Sequence, residues 1–117
     1  MKIKILIPVY NDWQSLSKLL ENINVEISRL DHEFSAIIIN DGSTEPLPQN
    51  FANIENFKSI KIIDMKINKG HARCNAAGLK YIFEKEEFDY VIPMDGDGED
   101  RPEEIKNFVE QIKLIPN

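Results

Sequence analysis

The chain alternates short runs of apolar residues with longer segments in which apolar residues recur every three or four positions. Four runs are candidate strands: "IKILIPV" at 3–9, "FSAIIIN" at 34–40, "SIKIIDM" at 59–65 and "FDYVIPM" at 88–94. The first run has the apolar continuity of a strand that is buried on both faces of a parallel sheet. The pattern therefore predicts a core built around this run.

The segments between and after these runs have helical periodicity. Asn11 or Asp12 can cap the first helix, a second begins just after Gly70, and Pro102 suits the first turn of a third. The predicted apolar faces are Trp13, Leu16, Leu19, Leu20, Ile23, Ile27 and Leu30 in the first helix, Ala72, Ala76, Leu79 and Phe83 in the second, and Ile105, Phe108, Val109 and Ile112 in the third.

This alternation of strand and helix predicts an α/β fold with a mainly parallel sheet and right-handed crossovers. Ligands of such sheets bind beyond the carboxyl ends of the strands. The four strand ends carry "PVYND", "INDGST", "DMKINKG" and "PMDGDGED". All the candidate chemistry is therefore expected at one edge of one sheet.

Length and composition indicate one globular domain. The chain has 117 residues, is 42% hydrophobic and 29% charged, and its net charge of −6 argues against nucleic acid as the main partner. The one cysteine, Cys74, allows no internal disulfide and suits a reducing compartment. The apolar run of "MKIKILIPVY" is too short for a signal peptide and contains Pro8. We expect a cytoplasmic location, including the inner face of a membrane.

The stretch "YVIPMDGDGED" places a dense group of acids at the end of the fourth strand. Asp95 and Asp97, separated by one glycine, can turn toward one hard cation, and oxygen ligands favour Mg²⁺ or Mn²⁺. A solvated acidic turn is the alternative. A calcium-binding EF-hand loop is excluded, because its sixth and twelfth positions would be Asp100 and Lys106. With Glu103, Asp100 instead resembles a capping box.

The segments after the second and third strands allow two interpretations each. Asp41 and the following glycine are a turn signal, and Ser43 or Thr44 can cap a short helix; alternatively, Asp41 accepts hydrogen bonds from a nucleobase. Gly70 allows a backbone to approach a ligand closely, and Arg73 can meet a base carbonyl or a phosphate. The chain has neither the G-x-G-x-x-G of dinucleotide-binding folds nor a Walker A sequence.

Together, the segments "ILIPVYND", "AIIINDGST", "NKGHARCNAAGL" and "YVIPMDGDGEDRPEEI" resemble the family 2 nucleotide-sugar glycosyltransferases of the GT-A fold. They occur in the family's order and spacing, over nearly the whole chain, and the last two are most similar to the polyprenyl-phosphate sugar synthase branch. The resemblance implies a three-layer, Rossmann-like domain over residues 1–117. We expect the strand order 3-2-1-4 with helices on both faces.

The resemblance also implies a role for each matching residue. Donor nucleotide-binding residues would be Pro8, Tyr10 and Asn11 in the loop lining the nucleotide, Asp41 reading the base, Gly70 and Arg73 beside the base, and Asp95 near the ribose and the metal. Asp97 would be the direct ligand of a Mn²⁺ or Mg²⁺ cofactor, with Asp95 close to it. No catalytic base is identified, because the family places it, with the acceptor site, in a second half that follows this part.

The implied activity is metal-dependent, inverting transfer of a sugar from a UDP- or GDP-linked donor to an acceptor, such as a lipid phosphate or a glycan. Two other hypotheses remain open. One is a nucleotide or nucleotide-sugar binding module without transferase activity of its own. The other is a plain metal-binding or interaction domain.

Overall fold

The computed structural model describes residues 1–48, 54–95 and 102–113. It contains four strands and three helices within these ranges. They are β1 (Lys2–Val9), α1 (Trp13–Ile27), β2 (Glu33–Asn40), β3 (Ser59–Asp64), α2 (His71–Lys85), β4 (Tyr90–Pro93) and α3 (Glu104–Lys113). Each predicted strand and each of the three helices predicted from apolar periodicity is present, and the helix predicted near Pro102 begins two residues later, at Glu104.

The four strands form one parallel sheet in the order β3-β2-β1-β4, as expected. The register places Val9 of β1 opposite Asn40 of β2, and Asn40 opposite Asp64 of β3. On the other side of β1, Leu6 is opposite Pro93, and the N–H of Met94 donates to the carbonyl of Leu6 at 2.9 Å. The carboxyl ends of all four strands therefore lie at the same edge.

Two apolar clusters cover the two faces of this sheet, which gives the expected three layers. On one face, Ile3, Ile5 and Ile7 of β1 pack in the cluster that includes the buried residues of α1 and α3. On the other face, Leu6 packs with Ile37, Ile39, Cys74 and Ile82, the last two from α2. Strand β1 is thus buried on both sides, as its apolar run predicts.

Helix α1 packs as the periodicity predicts. Its N-cap is Asp12, whose Oδ1 accepts the N–H of Ser15 at 3.2 Å, and each predicted apolar residue from Trp13 to Ile27 is buried. Leu30 lies beyond the end of the helix and is partly buried against the same cluster. In α3, Ile105 and Val109 are buried and Phe108 is partly exposed, whereas the side chain of Ile112 lies outside the described residues.

The predicted apolar face of α2 is wrong in three of its four residues, whereas Leu79 packs against the cluster around Leu6 as predicted. Ala72 and Ala76 are exposed and Phe83 is 71% exposed, whereas Cys74, Gly78 and Ile82 face the sheet. A Cβ on Gly78 would overlap the end of the Leu6 side chain, so any larger residue there would require Leu6 to shift within the core. Alanine is a strong helix former whether or not it is buried, and small residues define the buried face here, so apolar periodicity selected the wrong side.

An ion-pair cluster lies on the α2 side of the sheet, towards the amino ends of the strands. Glu86, just after α2, lies 3.3 Å from Lys4 Nζ of β1 and 2.8 Å from Lys61 Nζ of β3. The side chains of Lys4 and Glu86 are only 9% and 7% exposed. The hydrogen bond from Lys61, together with Lys4, lowers the pKa of Glu86. This cluster joins the C-terminus of α2 to two strands.

Candidate functional site

Asp41 lies at the centre of the carboxyl edge, directly after β2. It is 1% exposed, and its own N–H donates to the carbonyl of Val9 at 2.8 Å, which continues the pairing of β1 and β2. Its Oδ1 accepts the backbone N–H of Lys69 at 2.6 Å, and its Oδ2 accepts that of Gly70 at 2.9 Å. The carboxylate therefore connects the end of β2 to the loop that precedes α2.

Cys74, in the first turns of α2, completes the surroundings of this carboxylate. The side chain is fully buried. Burial, and secondly the hydrogen bond and charge of Asp41, raise the pKa of the Cys74 thiol from 9.0 to about 12. A thiol held in its protonated form is a poor nucleophile. The Cys74 side chain packs with Leu6, Ile37 and Ile39, and its thiol interacts with the carboxylate of Asp41.

The turn after Asp41 brings two loops into direct backbone contact. Gly42 has a φ of +69°, and a Cβ there would lie 2.6 Å from the backbone nitrogen of Asn68. Only glycine fits both this dihedral angle and this space. The turn interpretation of residues 41–42 is thus correct locally. The turn does not exclude a ligand role for Asp41, because the β3–α2 loop that Gly42 contacts is exposed at the same edge of the sheet.

The predicted helix cap at Ser43 or Thr44 is wrong. No helix follows Asp41 within the described residues 41–48. Instead, the Ser43 hydroxyl accepts the backbone N–H of Asn11 at 2.8 Å, and the Asn11 side chain accepts the N–H groups of Thr44 and Glu45. These two hydroxyl residues therefore connect the β1–α1 loop to the segment after β2, a role that the sequence reasoning missed. The sequence feature that could have indicated this connection is a pair of hydroxyl residues at a strand end with no apolar periodicity after them.

A second pair that sequence reasoning missed lies between β2 and β3. Asn40 Nδ2 donates to Asp64 Oδ1 at 2.8 Å, and Asn40 Oδ1 accepts the N–H of Ser43 at 3.2 Å. The two residues are opposite each other in the register, at the last position of each strand. The sequence feature that could have indicated this hydrogen bond is a polar residue at the end of each of the two adjacent strands.

The structure brings most of the predicted nucleotide-binding residues to this edge. Pro8 is buried at the end of β1, Tyr10 is 44% exposed just beyond it, and Asn11 is partly buried. Gly70 is the N-cap of α2, with a φ of 86°, and Arg73 is exposed in the first turn of that helix. Together with Asp41, which follows β2, these five positions come from three regions of the chain that meet at this edge.

The acidic residues at the end of β4 are described only in part. Asp95 is exposed and follows the last paired residues of β4, whereas Asp97 and Asp100 lie outside the described residues. Within residues 1–48, 54–95 and 102–113 there is no group of three His, Cys, Asp or Glu side chains that could hold a metal ion. The donor set of Asp95 and Asp97, two carboxylates, fits a hard cation whose remaining ligands come from elsewhere.

The strand order places Asp95 and Asp41 on opposite sides of β1. Asp95 follows β4 and Asp41 follows β2, and both strands pair with β1. Neighbouring strands are about 4.8 Å apart, so β2 and β4 are separated by roughly 10 Å. A base contact at Asp41 and a phosphate or metal contact near Asp95 are therefore compatible with one extended ligand lying across the end of β1.

Comparison with known proteins identifies the family. The model of glycosyl transferase family 2 matches residues 4–116. The chain belongs to this family. An undecaprenyl-phosphate 4-deoxy-4-formamido-L-arabinose transferase of Proteus mirabilis is 31% identical over 108 residues, which are 92% of this chain and 32% of that protein. The protein of the same name from Pseudomonas fluorescens strain SBW25 is 33% identical over 112 residues, 96% of this chain and 32% of that protein.

A solved structure gives the same fold. The crystal structure of S. aureus TarS 1-349 matches with a TM-score of 0.64 and 22% identity, over 97% of this chain and 32% of that one. With the strand order 3-2-1-4, this confirms the GT-A arrangement that the family resemblance implies. The chain spans about a third of the length of the relatives it matches. No helix of the described residues has the length and apolarity needed to cross a membrane.

Proposed function

We propose that this chain forms the donor-binding part of a family 2 glycosyltransferase and binds a nucleotide-diphospho-sugar at the carboxyl edge of the sheet. The observation that carries the proposal is the buried Asp41 carboxylate, which lies where three connections meet and holds the amides of Lys69 and Gly70. The match of residues 4–116 to the family model supports the proposal.

The placement of charge around Asp41 suits such a donor. Lys66, Lys69 and Arg73 are exposed on the β3–α2 loop and the first turn of α2. From this position Arg73 can meet a base carbonyl, beside the carboxylate of Asp41. Asp41 follows β2 and Asp95 follows β4, on opposite sides of β1, which supports placing the base on the β2 side and the diphosphate on the β4 side.

In the proposed reaction, an acceptor oxygen attacks the anomeric carbon of the sugar while the bond from that carbon to the diphosphate breaks, with inversion. The residues of this chain bind and orient the donor, so that the reacting carbon is presented to the acceptor. A divalent cation at Asp97 and Asp95, when bound, supplies positive charge that stabilises the departing diphosphate.

The names of the relatives indicate the acceptor class that we propose. Both sequence relatives are named as transferases that act with undecaprenyl phosphate, and we propose a polyprenyl phosphate acceptor for the protein that contains this chain. The second pKa of a phosphate monoester is about 6, so most of the acceptor is a dianion at neutral pH. Its oxygen can attack without giving up a proton, and we therefore expect no essential side-chain base for this step.

A calorimetric panel tests the proposal. UDP, GDP and their sugar conjugates are titrated into the chain with and without Mn²⁺, and sugar transfer to a polyprenyl phosphate in detergent is assayed in parallel. We expect one nucleotide to bind more tightly with Mn²⁺. Binding without transfer is expected of a donor-binding part by itself, so transfer is also assayed with the protein that contains this chain, and its absence there would favour the alternative, a binding module. Metal binding without any nucleotide binding would contradict the proposal and favour a metal-binding domain.

A further inference from the structure

We propose that Asn11 is a positioning residue, which holds two loops of the nucleotide site together instead of contacting the nucleotide itself. The inference rests on the proposed function, because it concerns how the same site is built. It changes the role that the family resemblance implies for Asn11, which is a residue of the loop lining the nucleotide.

The Asn11 clasp consists of Asn11, Ser43, Thr44 and Glu45. The side-chain oxygen of Asn11 accepts the N–H of Thr44 at 2.7 Å and the N–H of Glu45 at 2.8 Å. Its Nδ2 donates to the Thr44 hydroxyl at 3.1 Å, and its backbone N–H donates to the Ser43 hydroxyl at 2.8 Å. An amide oxygen has two lone pairs, and both serve backbone groups of this chain. The side-chain oxygen is thus committed to the clasp.

The backbone of Asn11 supports the same conclusion. Its φ of +61° is the one positive value among the non-glycine residues that the structure describes. Such a conformation is uncommon for a residue with a side chain, although asparagine adopts it more readily than most, and it persists only where surrounding contacts enforce it. The four hydrogen bonds of the clasp provide that enforcement.

The clasp joins two predicted nucleotide-binding positions, Tyr10 in the loop lining the nucleotide and Asp41 reading the base. Tyr10 precedes Asn11, and Asp41 lies two residues before Ser43, so the clasp fixes the chain immediately beside each of them. Trp13 adds a further bond between the same segments, since its Nε1 donates to the carbonyl of Glu45 at 3.0 Å. Without the Asn11 side chain, the relative placement of Tyr10 and Asp41 would depend on fewer bonds, and a nucleotide would have to order the loops as it binds.

Two variants of Asn11 separate positioning from direct contact. Asn11→Gly keeps access to a positive φ and removes the side-chain bonds of the clasp, whereas Asn11→Asp keeps an oxygen that can accept the two amides. UDP and GDP affinity with Mn²⁺ is measured by calorimetry, and hydrogen exchange of the Thr44 and Glu45 amides by NMR. We expect Asn11→Gly to weaken nucleotide binding roughly tenfold and to speed exchange of both amides. Asn11→Asp should recover most of both properties.

Asn56→Gly is the matched control. Asn56 also ties a loop to α1, since its Nδ2 donates to the carbonyl of Asn24 at 2.9 Å and its N–H donates to Asn24 Oδ1 at 2.7 Å. It lies before β3, at the opposite edge of the sheet. Its loss should lower the melting temperature and leave nucleotide affinity unchanged. An equal loss of affinity in Asn56→Gly and Asn11→Gly would mean that general destabilisation weakens binding, which would overturn the positioning role.

Ser43→Ala keeps the test available if Asn11→Gly does not fold. It removes only the hydroxyl that accepts the Asn11 N–H, and we expect about a threefold loss of nucleotide affinity. The proposal would be contradicted if all three variants, Ser43→Ala, Asn11→Asp and Asn11→Gly, bind nucleotide with wild-type affinity. Equal loss of nucleotide affinity in Asn11→Gly and Asn11→Asp, with wild-type amide exchange, would show direct contact instead.

A wild-type chain that binds neither UDP nor GDP would overturn the proposed function itself, whereas failure of the positioning role alone leaves wild-type binding intact.

Discussion

The backbone N–H of Gly70 donates a 2.9 Å hydrogen bond to Oδ2 of Asp41, although the two residues are 29 positions apart in the chain. Gly70 is the N-cap of α2 and has no side chain to cap the helix. The carboxylate of Asp41 supplies an anion at this end of the helix, where the helix dipole favours negative charge. Asp41 therefore stabilises the fold at the same position where we propose that it contacts a nucleotide.

Asp41→Ala should lower both the stability of the fold and the affinity for nucleotide. Hydrogen bonds to a charged group contribute about 1.5–3 kcal/mol, so we expect a loss of this size in the free energy of unfolding. Nucleotide binding should weaken and remain dependent on Mn²⁺. Chemical denaturation and calorimetry measure the two effects. The control is Asp64→Ala, whose exposed carboxylate accepts one bond from Asn40 and should matter less. Undiminished nucleotide affinity in Asp41→Ala would leave Asp41 with a structural role only.

Asp97→Asn should remove most of the coupling between metal and nucleotide. Two carboxylates alone hold Mg²⁺ or Mn²⁺ weakly, and a diphosphate adds oxygen ligands, so each should tighten the binding of the other by the same factor. Calorimetric titration of nucleotide with and without Mn²⁺ measures that factor. Asp100→Asn is the control and should retain the coupling, because asparagine also caps helices. Full Mn²⁺ dependence in Asp97→Asn would show that the metal lies elsewhere.

Cys74 should make the stability of the protein fall at alkaline pH. The folded state raises the pKa of its thiol from 9.0 to about 12, so between these values the unfolded state loses the proton and the folded state keeps it. Stability from this source is present below pH 9 and is lost as the pH rises toward 12. Denaturation midpoints of the wild type and Cys74→Ala, compared from pH 8 to 11, isolate the effect. Parallel profiles for the two proteins would contradict it.

The neighbouring residues Glu86 and Glu87 should differ sharply in their contribution to stability. Glu86→Ala leaves Lys4 as a buried cation without its carboxylate, which typically costs about 3–5 kcal/mol. Glu87 is 85% exposed and pairs with Lys2 at the surface, where solvent screens the charges and such pairs contribute little to stability. Urea denaturation of both variants makes the comparison. Equal and small losses would mean that the ion-pair cluster around Lys4 does not stabilise the sheet.

The ion-pair cluster around Glu86 also predicts the direction in which acid changes the stability of the fold. Lys61 and Lys4 lower the pKa of Glu86 in the folded state. The stability that Glu86 contributes is therefore present above the pKa of Glu86 in the unfolded chain, and it is lost as the pH falls through the pKa of Glu86 in the folded chain. Glu86→Ala should therefore lose less stability than the wild type on acidification below pH 4.5.

The sequence predicted the sheet and the meeting of Asp41 with Gly70 for one physical reason. Parallel strands direct their carboxyl ends to one edge, so residues that follow adjacent strands must come together, whatever their side chains do. The buried face of α2 was not predictable in the same way. It depends on Cys74 and Gly78, and their small size suits the close approach of helix and sheet, a tertiary distance that no local pattern contains.

The role of Asn11 was also beyond reach of the sequence. Its partners Thr44 and Glu45 lie 33 and 34 residues away, and whether an asparagine side chain meets them depends on the path of both loops. A strand-end asparagine predicts a polar contact but does not say whether the contact is to a ligand or to the protein. The hydrogen bonds from Thr44 and Glu45 to the Asn11 side-chain oxygen, seen only in the folded chain, favour a contact to the protein.

The packing of Gly78 in the core affects the position of Gly70 at the candidate site. With no side chain at this position, α2 rests directly against Leu6 and Ile39. Gly70 lies eight residues earlier, about 12 Å along the helix at 1.5 Å per residue. A substitution that thickened the layer between helix and sheet would tilt or lift α2 and move the Gly70 amide away from Asp41. Residue 78 thus acts as a spacer whose size sets the distance between α2 and the sheet, and we expect a substitution there to weaken binding at the proposed nucleotide site without contacting any ligand.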